Sequence, residues 1–350
     1  MKKFYTLSFI LLSTLSFGQA LLTETFNYTV PSNVGGNTTT ASDATGSNNW
    51  ATHSNTSSVT GVGLSGTIDV TTGSLSYTGL FASVGNKVML PGNNATTTRD
   101  INRAVTTTSK VVYYSALINV IDNTQLKTTP DYFMALGATS GTSVTTLGAR
   151  LGISSAAGTN YRLSILNISG GTTVYTENAV DLAFGTTYLV VVKYDFSSAP
   201  TSATIWVNPS SLSGTEPASS VATNTSGTGT FTVANSITLR NSANTPKVEI
   251  DELRVGTTWA DVTPAAALGI KQDKIAGLNI YPNPVKDGNL YITSNSSEAK
   301  TVGVYDILGK QVLNAKTSNN AVNVSNLKGG AYIVKITEDG KTDTRKLIIE

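Results

Sequence analysis

The apolar residues of this chain come in short, β-branched runs that are separated by clusters of Gly, Asn, Ser and Thr. Such runs are typical of strands, and the periodicity of an amphipathic helix is nearly absent. The clearest runs are KVVYYSALINVI (110–121), YRLSILNI (161–168), TTYLVVVKYDF (186–196), ATIWVN (203–208), SITLRN (236–241) and KVEIDELRV (247–255). The sequence therefore predicts an all-β fold, with a large two-sheet jelly-roll sandwich over residues 21–263.

A second, smaller β-unit is predicted near the end of the chain. Pro264 and a run of small residues are followed by a more charged segment, so we interpret residues 264–277 as a linker. Residues 278–350 contain seven short strand-like runs, which predict an Ig-like seven-strand β-sandwich. The pair Asp339-Gly340 predicts a type I′ hairpin, because both central residues of that turn need a positive φ.

The two parts differ in the sign of their net charge. Residues 21–265 hold 11 Lys/Arg against 14 Asp/Glu, whereas residues 266–350 hold 11 against 8. Because the first part is sparse in charge and slightly acidic, it lacks the basic surface that binds nucleic acid. The chain has no cysteine and a single histidine, His53. This composition excludes disulfides, thiolate metal sites and sites with several histidines.

The N-terminal segment has the pattern of an export signal. Residues 1–20, MKKFYTLSFILLSTLSFGQA, combine two lysines, a short apolar stretch, and Gly18 and Ala20 before the expected cleavage site. No later segment has enough consecutive apolar residues for a transmembrane span. We therefore expect a signal peptide at residues 1–20 and a protein that leaves the cytoplasm.

Four segments occur in order towards the C-terminus: YPNPV (281–285), VYDILGKQV (304–312), NLKGGAYIVKI (326–336) and KLIIE (346–350). This set closely resembles the type A C-terminal sorting domain of the type IX secretion system of Bacteroidota. The resemblance implies export through the periplasm to the outer-membrane surface or beyond, with the secretion machinery and its sorting peptidase as partners. The residues that carry the motif are Tyr281, Pro282, Asn283, Pro284, Asp306, Gly309, Gly330, Tyr332 and Lys346.

The first domain resembles a family through LLTETFNY (21–28), VYYSALINV (112–120), DYFMALG (131–137), WVNPS (206–210) and IDELRVGTTWADV (250–262). These segments look like a module of secreted Bacteroidota proteins with a concanavalin A/laminin-G-like jelly-roll architecture. The resemblance implies a fold without a defined activity, because jelly rolls host lectins, adhesins, lyases and hydrolases.

The run KVEIDELRV carries an irregularity that predicts a β-bulge. Val248 and Ile250 occupy even positions, whereas Leu253 and Val255 occupy odd positions. A regular strand cannot bury both sets on one face, so a bulge is expected near Asp251–Glu252. Jelly-roll modules often hold a structural Ca²⁺ between the last and first strands, and this resemblance implies Asp251 and Glu24 as metal ligands. The alternative is that the acidic residues at the bulge are exposed and solvated.

Trp50 and His53, in NWATHS, are the candidate glycan-binding residues, because aromatic faces stack on sugar rings. The alternative is that Trp50 caps the core where a long polar segment re-enters the sandwich. Arg99, Arg103, Arg150 and Arg162 could share one sheet face, although arginine stems also commonly cover apolar surface.

For the whole chain, the sequence favours a secreted, non-catalytic β-sandwich that binds a glycan or surface polymer or mediates adhesion. A structural surface-layer component without a small ligand is one alternative. A polysaccharide-degrading enzyme is another, although the acidic run of laminarinase-like jelly rolls, E-x-D-x-x-E, is absent. We therefore predict no catalytic residue.

Overall fold

The computed structural model describes residues 20–35, 50–54, 66–92, 99–156, 158–197, 199–218, 222–266, 275–317 and 319–350. Residues 1–19 of the predicted signal peptide lie outside the described residues. The chain divides into two compact units, residues 1–266 and 267–350, which are described separately.

The first unit is built almost entirely from strands. Its elements, in chain order, are β1 (Leu22–Glu24), β2 (Ser32–Asn33), β3 (Trp50–Ser54), β4 (Asp69–Thr71), β5 (Lys87–Pro91), β6 (Asp100–Ala104), β7 (Val111–Val120), β8 (Asp131–Gly137), β9 (Leu147–Ser155), β10 (Asn160–Ile168), β11 (Thr176–Glu177), β12 (Leu182–Ala183), β13 (Thr187–Asp195), β14 (Ser202–Val207), β15 (Ala222–Asn224), β16 (Ser236–Arg240), β17 (Lys247–Gly256) and a short helix, α1 (Trp259–Val262).

These strands form two antiparallel sheets. The nine-stranded sheet has the order β15-β14-β13-β7-β17-β5-β4-β2, with β1 also paired to β17. The eight-stranded sheet has the order β11-β10-β9-β8-β16-β6-β3, with β12 also paired to β10. Residues from both sheets form one buried cluster, which includes Ile118 and Ile250 from the nine-stranded sheet and Leu151 and Ile237 from the eight-stranded sheet. The prediction of an all-β jelly-roll sandwich is confirmed.

The nine-stranded sheet is also buried on part of its outer face. In β13, Val190 and Val192 point into the sandwich, whereas Leu189 and Val191 join a separate apolar cluster with Leu75 and Trp259. Helix α1, which carries Trp259, begins with a capping box between Thr258 and Asp261. The nearly continuous apolar run of β13 therefore reflects burial on both faces.

The predicted bulge lies in β17. The register between β17 and β7 shifts between Asp251 and Arg254, and Glu252 has a φ of 47°. The extra residue lets Ile250 and Leu253 both enter the interior, although they are an odd number of positions apart.

The second unit contains strands β18 (Asn279–Tyr281), β19 (Asn289–Thr293), β20 (Thr301–Tyr305), β21 (Gln311–Lys316), β22 (Ala321–Asn323), β23 (Gly330–Glu338) and β24 (Lys341–Ile349). They form a three-stranded sheet, β18-β19-β22, and a four-stranded sheet, β21-β20-β23-β24. Strands β23 and β24 pair up to Glu338 and Lys341, and both turn residues, Asp339 and Gly340, have a positive φ. This is the hairpin that the sequence predicts.

The first residues of the predicted linker pair with the first unit. The Pro264 carbonyl accepts a hydrogen bond from the Phe81 N–H, and the Ala266 N–H donates to the Gly79 carbonyl. Ile275, near the other end of that segment, belongs to the buried core of the second unit. Residues 267–274, between these two attachments, lie outside the described residues.

Candidate functional site

The outer face of the eight-stranded sheet is the candidate functional site of the first unit. Alternation along β9 directs Leu151 and Ile153 into the core and leaves Arg150, Gly152 and Ser154 on the other face. The same alternation applies to β6, where Ile101 is in the core between Asp100 and Asn102. This face therefore carries charged and polar side chains.

Two arginines contact one tyrosine near the middle of this face. The guanidinium carbons of Arg150 and Arg240 lie 4.7 Å and 4.4 Å from the centre of the Tyr132 ring. The three residues come from adjacent strands in the order β9, β8 and β16. A guanidinium is attracted to the face of an aromatic ring at such distances, so Tyr132 holds both cations in position.

A second tyrosine lies over β9 because Gly152 has no side chain. A Cβ at Gly152 would lie 2.8 Å from Cε1 of Tyr175 and 2.5 Å from Oγ of Ser164, both closer than normal contacts. Burial raises the pKa of Tyr175 to about 12, while the nearby Arg150 acts in the opposite direction. We refer to Tyr132, Tyr175, Arg150 and Arg240 as the arginine–tyrosine cluster.

Asp131 fixes one end of this cluster. Its Oδ1 accepts hydrogen bonds from Arg240, at 2.6 Å, and from the Tyr132 N–H, at 2.9 Å. Its Oδ2 accepts from Ser242 and Asn244. With both oxygens occupied, Asp131 is a structural counter-charge for Arg240 rather than a free acid or base.

Asp100 is the other carboxyl group beside Arg240, on the neighbouring strand β6. Burial raises the pKa of Asp100 to about 6, and Arg240 opposes that rise. Its Oδ1 is buried and has no hydrogen-bond partner within the described residues. The pKa of Asp100 therefore lies closer to neutral pH than that of an ordinary aspartate.

A cavity of about 760 Å³ opens at the Asp131 end of the face. Its lining consists of residues 126–131 together with Ser155, Arg240 and Asn244. The cavity shares Asp131 and Arg240 with the surroundings of Tyr132, so the cluster and the cavity form one continuous surface.

The structure separates the two predicted sugar-contacting residues. Trp50 is only 2% exposed, stacks on Phe26 with ring centres 6.0 Å apart, and donates its indole N–H to Glu24. Its ring is unavailable to a ligand, so the prediction of a sugar platform on Trp50 is wrong and the core-capping alternative is the observed one. His53 lies beside Asn102, with 3.1 Å between His53 Nδ1 and Asn102 Nδ2. Burial lowers the pKa of His53 to about 4, so the ring is neutral at neutral pH.

Glu24 is fully engaged by donors of the protein itself. One carboxylate oxygen accepts the Phe26 N–H, and the other accepts from Tyr28, Trp50 and Arg103. These four donors account for the position of the carboxylate without a metal ion.

Asp251 lies on the outer face of the nine-stranded sheet, whereas Glu24 points into the interior. The Asp251 Oδ2 accepts the Leu75 N–H at 2.8 Å, in the apolar cluster that covers the outer face, whereas Glu24 bonds Trp50 in the interior. The two predicted ligands therefore lie on opposite faces of the sheet and are not brought together, and calcium binding stays a prediction. Within the described residues, no three His, Asp or Glu side chains form a metal-binding group.

Of the four arginines singled out from the sequence, Arg150 and Arg162 lie on the outer face of the eight-stranded sheet. Arg99 is buried and bonds Asn33, and Arg103 points inward to Glu24. The other residues of this face that matter here, which the sequence did not single out, are Tyr132, Tyr175, Arg240 and Asp100. No local motif marks these four residues, because they meet only through pairing of strands that are distant in the chain.

The predicted sorting-motif residues hold the turns and strand ends of the second unit. Tyr281 stacks on Tyr291 with ring centres 5.6 Å apart. Asn283, which lies between Pro282 and Pro284, donates to the Lys346 carbonyl and accepts the Ile348 N–H.

The other motif residues lie in the four-stranded sheet and its turns. Asp306 accepts the backbone N–H groups of Leu308 and Lys310 around Gly309, whose φ is 82°. Tyr332, two positions after the first residue of β23, Gly330, donates its hydroxyl to the Lys328 carbonyl.

Residues 279–350 match the family model of the secretion system C-terminal sorting domain. The predicted sorting domain is confirmed. The match implies that the second unit interacts with the type IX secretion machinery and that the chain is secreted or displayed on the cell surface. None of the described helical segments has the length and apolar character that a membrane crossing requires.

Similarity to characterised proteins is partial. Over 89 residues, 24% of this chain, the sequence is 32% identical to the ulvan lyase NLR42 of Nonlabens ulvanivorans, and the match spans 16% of that protein. A glucuronan lyase from the fungus Trichoderma reesei aligns over 67% of this chain and 98% of its own, with 15% identity and a TM-score of 0.37. A pentraxin from Limulus polyphemus aligns over 43% of this chain and 67% of its own, with 9% identity and a TM-score of 0.30. Identities and coverage of this order do not transfer an activity to this chain.

Proposed function

We propose that the first unit binds polysaccharide outside the cell, across the outer face of the eight-stranded sheet. The observation that carries this proposal is the arginine–tyrosine cluster, in which two half-buried tyrosines and two guanidiniums lie beside an open cavity. The sorting domain supports this proposal because it directs the chain to the compartment where polysaccharides of other cells and of the environment are met.

The chemistry of the cluster suits a carbohydrate ligand. A sugar presents weakly polar ring faces and a rim of hydroxyl groups, which require both flat surfaces and hydrogen-bonding groups. The tyrosine rings supply flat apolar area at a low cost in side-chain entropy. His53, on the neighbouring strand β3, provides a partly exposed polar ring.

The opposite sheet is a poorer candidate for this role. Its outer face is partly covered by the apolar cluster that contains Leu75, Leu189 and Trp259. A ligand there would first have to displace buried apolar side chains, which is unfavourable.

Binding of the purified chain to a polysaccharide panel tests the proposal. We expect Tyr132→Ala to weaken binding to the best ligand by about tenfold or more, the size expected when a buried aromatic anchor is lost. The matched control is Tyr291→Ala, which removes a tyrosine that is 42% exposed in the second unit. An unchanged affinity of Tyr132→Ala, or equal weakening by the control, would contradict the proposal. Failure of the wild type to bind any polymer would favour a structural surface component.

An enzyme that cleaves the bound polysaccharide is the second candidate. It is favoured by Asp100, a carboxyl group with a pKa of about 6 on the same face as two tyrosine hydroxyls. Acid–base catalysis works best when the pKa of a group lies near the working pH. The partial match to an ulvan lyase is in keeping with this candidate, although it spans only 16% of that protein.

Product analysis separates the two candidates. An enzyme should release oligosaccharides from the polymer that binds best, and Asp100→Asn should abolish their release while leaving the affinity nearly unchanged. Polymer that stays intact after prolonged incubation with the wild type would support binding without cleavage.

A further inference from the structure

We infer that Arg150 is a subsite for a carboxylate group of the ligand, so that the polysaccharide is a polyuronate. This inference rests on the proposed binding face and adds the chemical class of the sugar. It makes Arg150 a specificity-determining residue that contacts the ligand directly.

Arg150 lacks the counter-charge that most of the other arginines have. Five of them bond a carboxylate of the protein: Arg103 to Glu24, Arg162 to Asp181, Arg240 to Asp131, Arg254 to Glu252 and Arg345 to Asp343. Within the described part of the chain, no carboxylate oxygen lies within 4.0 Å of the Arg150 guanidinium. Both acids nearest the cluster, Asp131 and Asp100, act on Arg240.

The immediate surroundings of Arg150 are partly dehydrated. Its Nε is buried and has no hydrogen-bond partner among the described residues, and its guanidinium lies against the Tyr132 ring. An unpaired donor on a charged group in such a place is costly for the fold. An uncompensated cation that an aromatic ring holds in place is therefore prepared for an anion from outside.

A carboxylate on a sugar fits this position in charge and in shape. Guanidinium and carboxylate groups are both planar, and they form two parallel hydrogen bonds. Arg240 donates a single hydrogen bond to the Asp131 carboxylate beside the same tyrosine ring, so a guanidinium and a carboxylate already meet at this position. The tyrosines would then contact the pyranose ring to which the carboxylate is attached.

Affinity measurements with a matched pair of polymers test the inference. The probes are polygalacturonate and polymannuronate, the same polymers after reduction of their carboxyl groups to hydroxymethyl groups, and a sulfated neutral polysaccharide. The variants of the full chain are Arg150→Gln and Arg162→Gln. Arg162 is the matched control, because it lies on the same sheet face and is paired with Asp181.

We expect the wild type to prefer at least one polyuronate over its reduced form. Arg150→Gln should weaken polyuronate binding by about tenfold or more, as expected for the loss of a bidentate charged pair. It should leave any binding to the reduced polymer unchanged, and Arg162→Gln should have little effect on either polymer. An unchanged signal from the reduced polymer would also demonstrate that Arg150→Gln is folded.

Three results would overturn the inference. One is equal binding of the polyuronates and their reduced forms, which would leave the proposed function intact but remove the carboxylate subsite. Another is a preference for the sulfated polymer, which would assign Arg150 to a different anion. The third is equal weakening of polyuronate binding by both variants, which would mean that the effect follows from the net charge of the face and not from Arg150 itself. Absence of binding to every polymer would instead overturn the proposed function as well.

Discussion

At the scale of single residues, Glu24 illustrates how the partners of a side chain can escape prediction from sequence. An acidic residue in the first strand of a jelly roll suggests a metal ligand, but this carboxylate accepts from Phe26, Tyr28, Trp50 and Arg103. The sequence alone could not predict this arrangement, because Arg103 is 79 positions away in the chain.

We predict that Glu24→Gln lowers the free energy of unfolding by about 3 kcal/mol, because it leaves the Arg103 charge partly buried and unpaired. Urea unfolding of the purified chain measures this loss. The control is Glu177→Gln, which alters a carboxylate in a partly exposed pair with Arg162 and should have a small effect. Equal losses in the two variants would contradict the role assigned to Glu24.

At the scale of elements, the spacing of apolar residues along one strand was sufficient to predict the bulge in β17. Two turn residues, Asp339 and Gly340, were sufficient to predict the β23–β24 hairpin. The site was not predictable in this way. Arg240 and Tyr132 are more than 100 positions apart, and they meet because β16 pairs with β8. Strand β8 also has register shifts at Tyr132, Met134 and Leu136, so simple alternation does not give the direction of its side chains.

Asp251, a buried carboxyl group beside the bulge, makes the stability of the fold depend on pH. Burial raises the pKa of Asp251 from its ordinary value of 3.8 to about 7. The folded state therefore binds the proton more tightly than the unfolded state. The contribution of Asp251 to the free energy of unfolding is fully present below about pH 4 and is lost as pH rises towards 7. We predict that Asp251→Asn, which cannot ionise, removes this loss.

The measurement is the difference in free energy of unfolding between wild type and Asp251→Asn at several pH values. We expect it to move in favour of the variant by about 1–3 kcal/mol between pH 4 and pH 7. Other titrating groups are common to both proteins and cancel in the difference. A difference that stays constant across this range would contradict a raised pKa.

At the scale of the whole molecule, the two units were predictable to different depths. The sorting domain is carried by short ordered motifs, so its role could be predicted from sequence together with its fold. The first unit displays only the general strand pattern of a jelly roll. The residues on the outer face of its eight-stranded sheet can be identified only when the pairing of the strands is known.

The buried pair in the second unit provides a test of the division into two units. The Lys300 side chain is fully buried, and its Nζ bonds Glu338 at 2.8 Å. We predict that Lys300→Met destabilises the second unit by about 3–5 kcal/mol, because Glu338 would keep a buried charge without its partner. The unfolding of the first unit should not change, because the two buried cores share no residue.

Calorimetry of the full chain measures both transitions. The control is Lys286→Met, whose pair with Glu350 is exposed and should contribute little. A shift of both transitions by Lys300→Met would contradict independent cores.

The central claim is that polysaccharide binds to the outer face of the eight-stranded sheet. Hydrogen–deuterium exchange of the purified chain, with and without the polymer that binds best, tests this location most directly. We predict slower exchange on binding in β8, β9 and β16, the strands that carry Tyr132, Arg150 and Arg240, with no change in the nine-stranded sheet. Protection confined to the nine-stranded sheet or to residues 279–350 would contradict the claim.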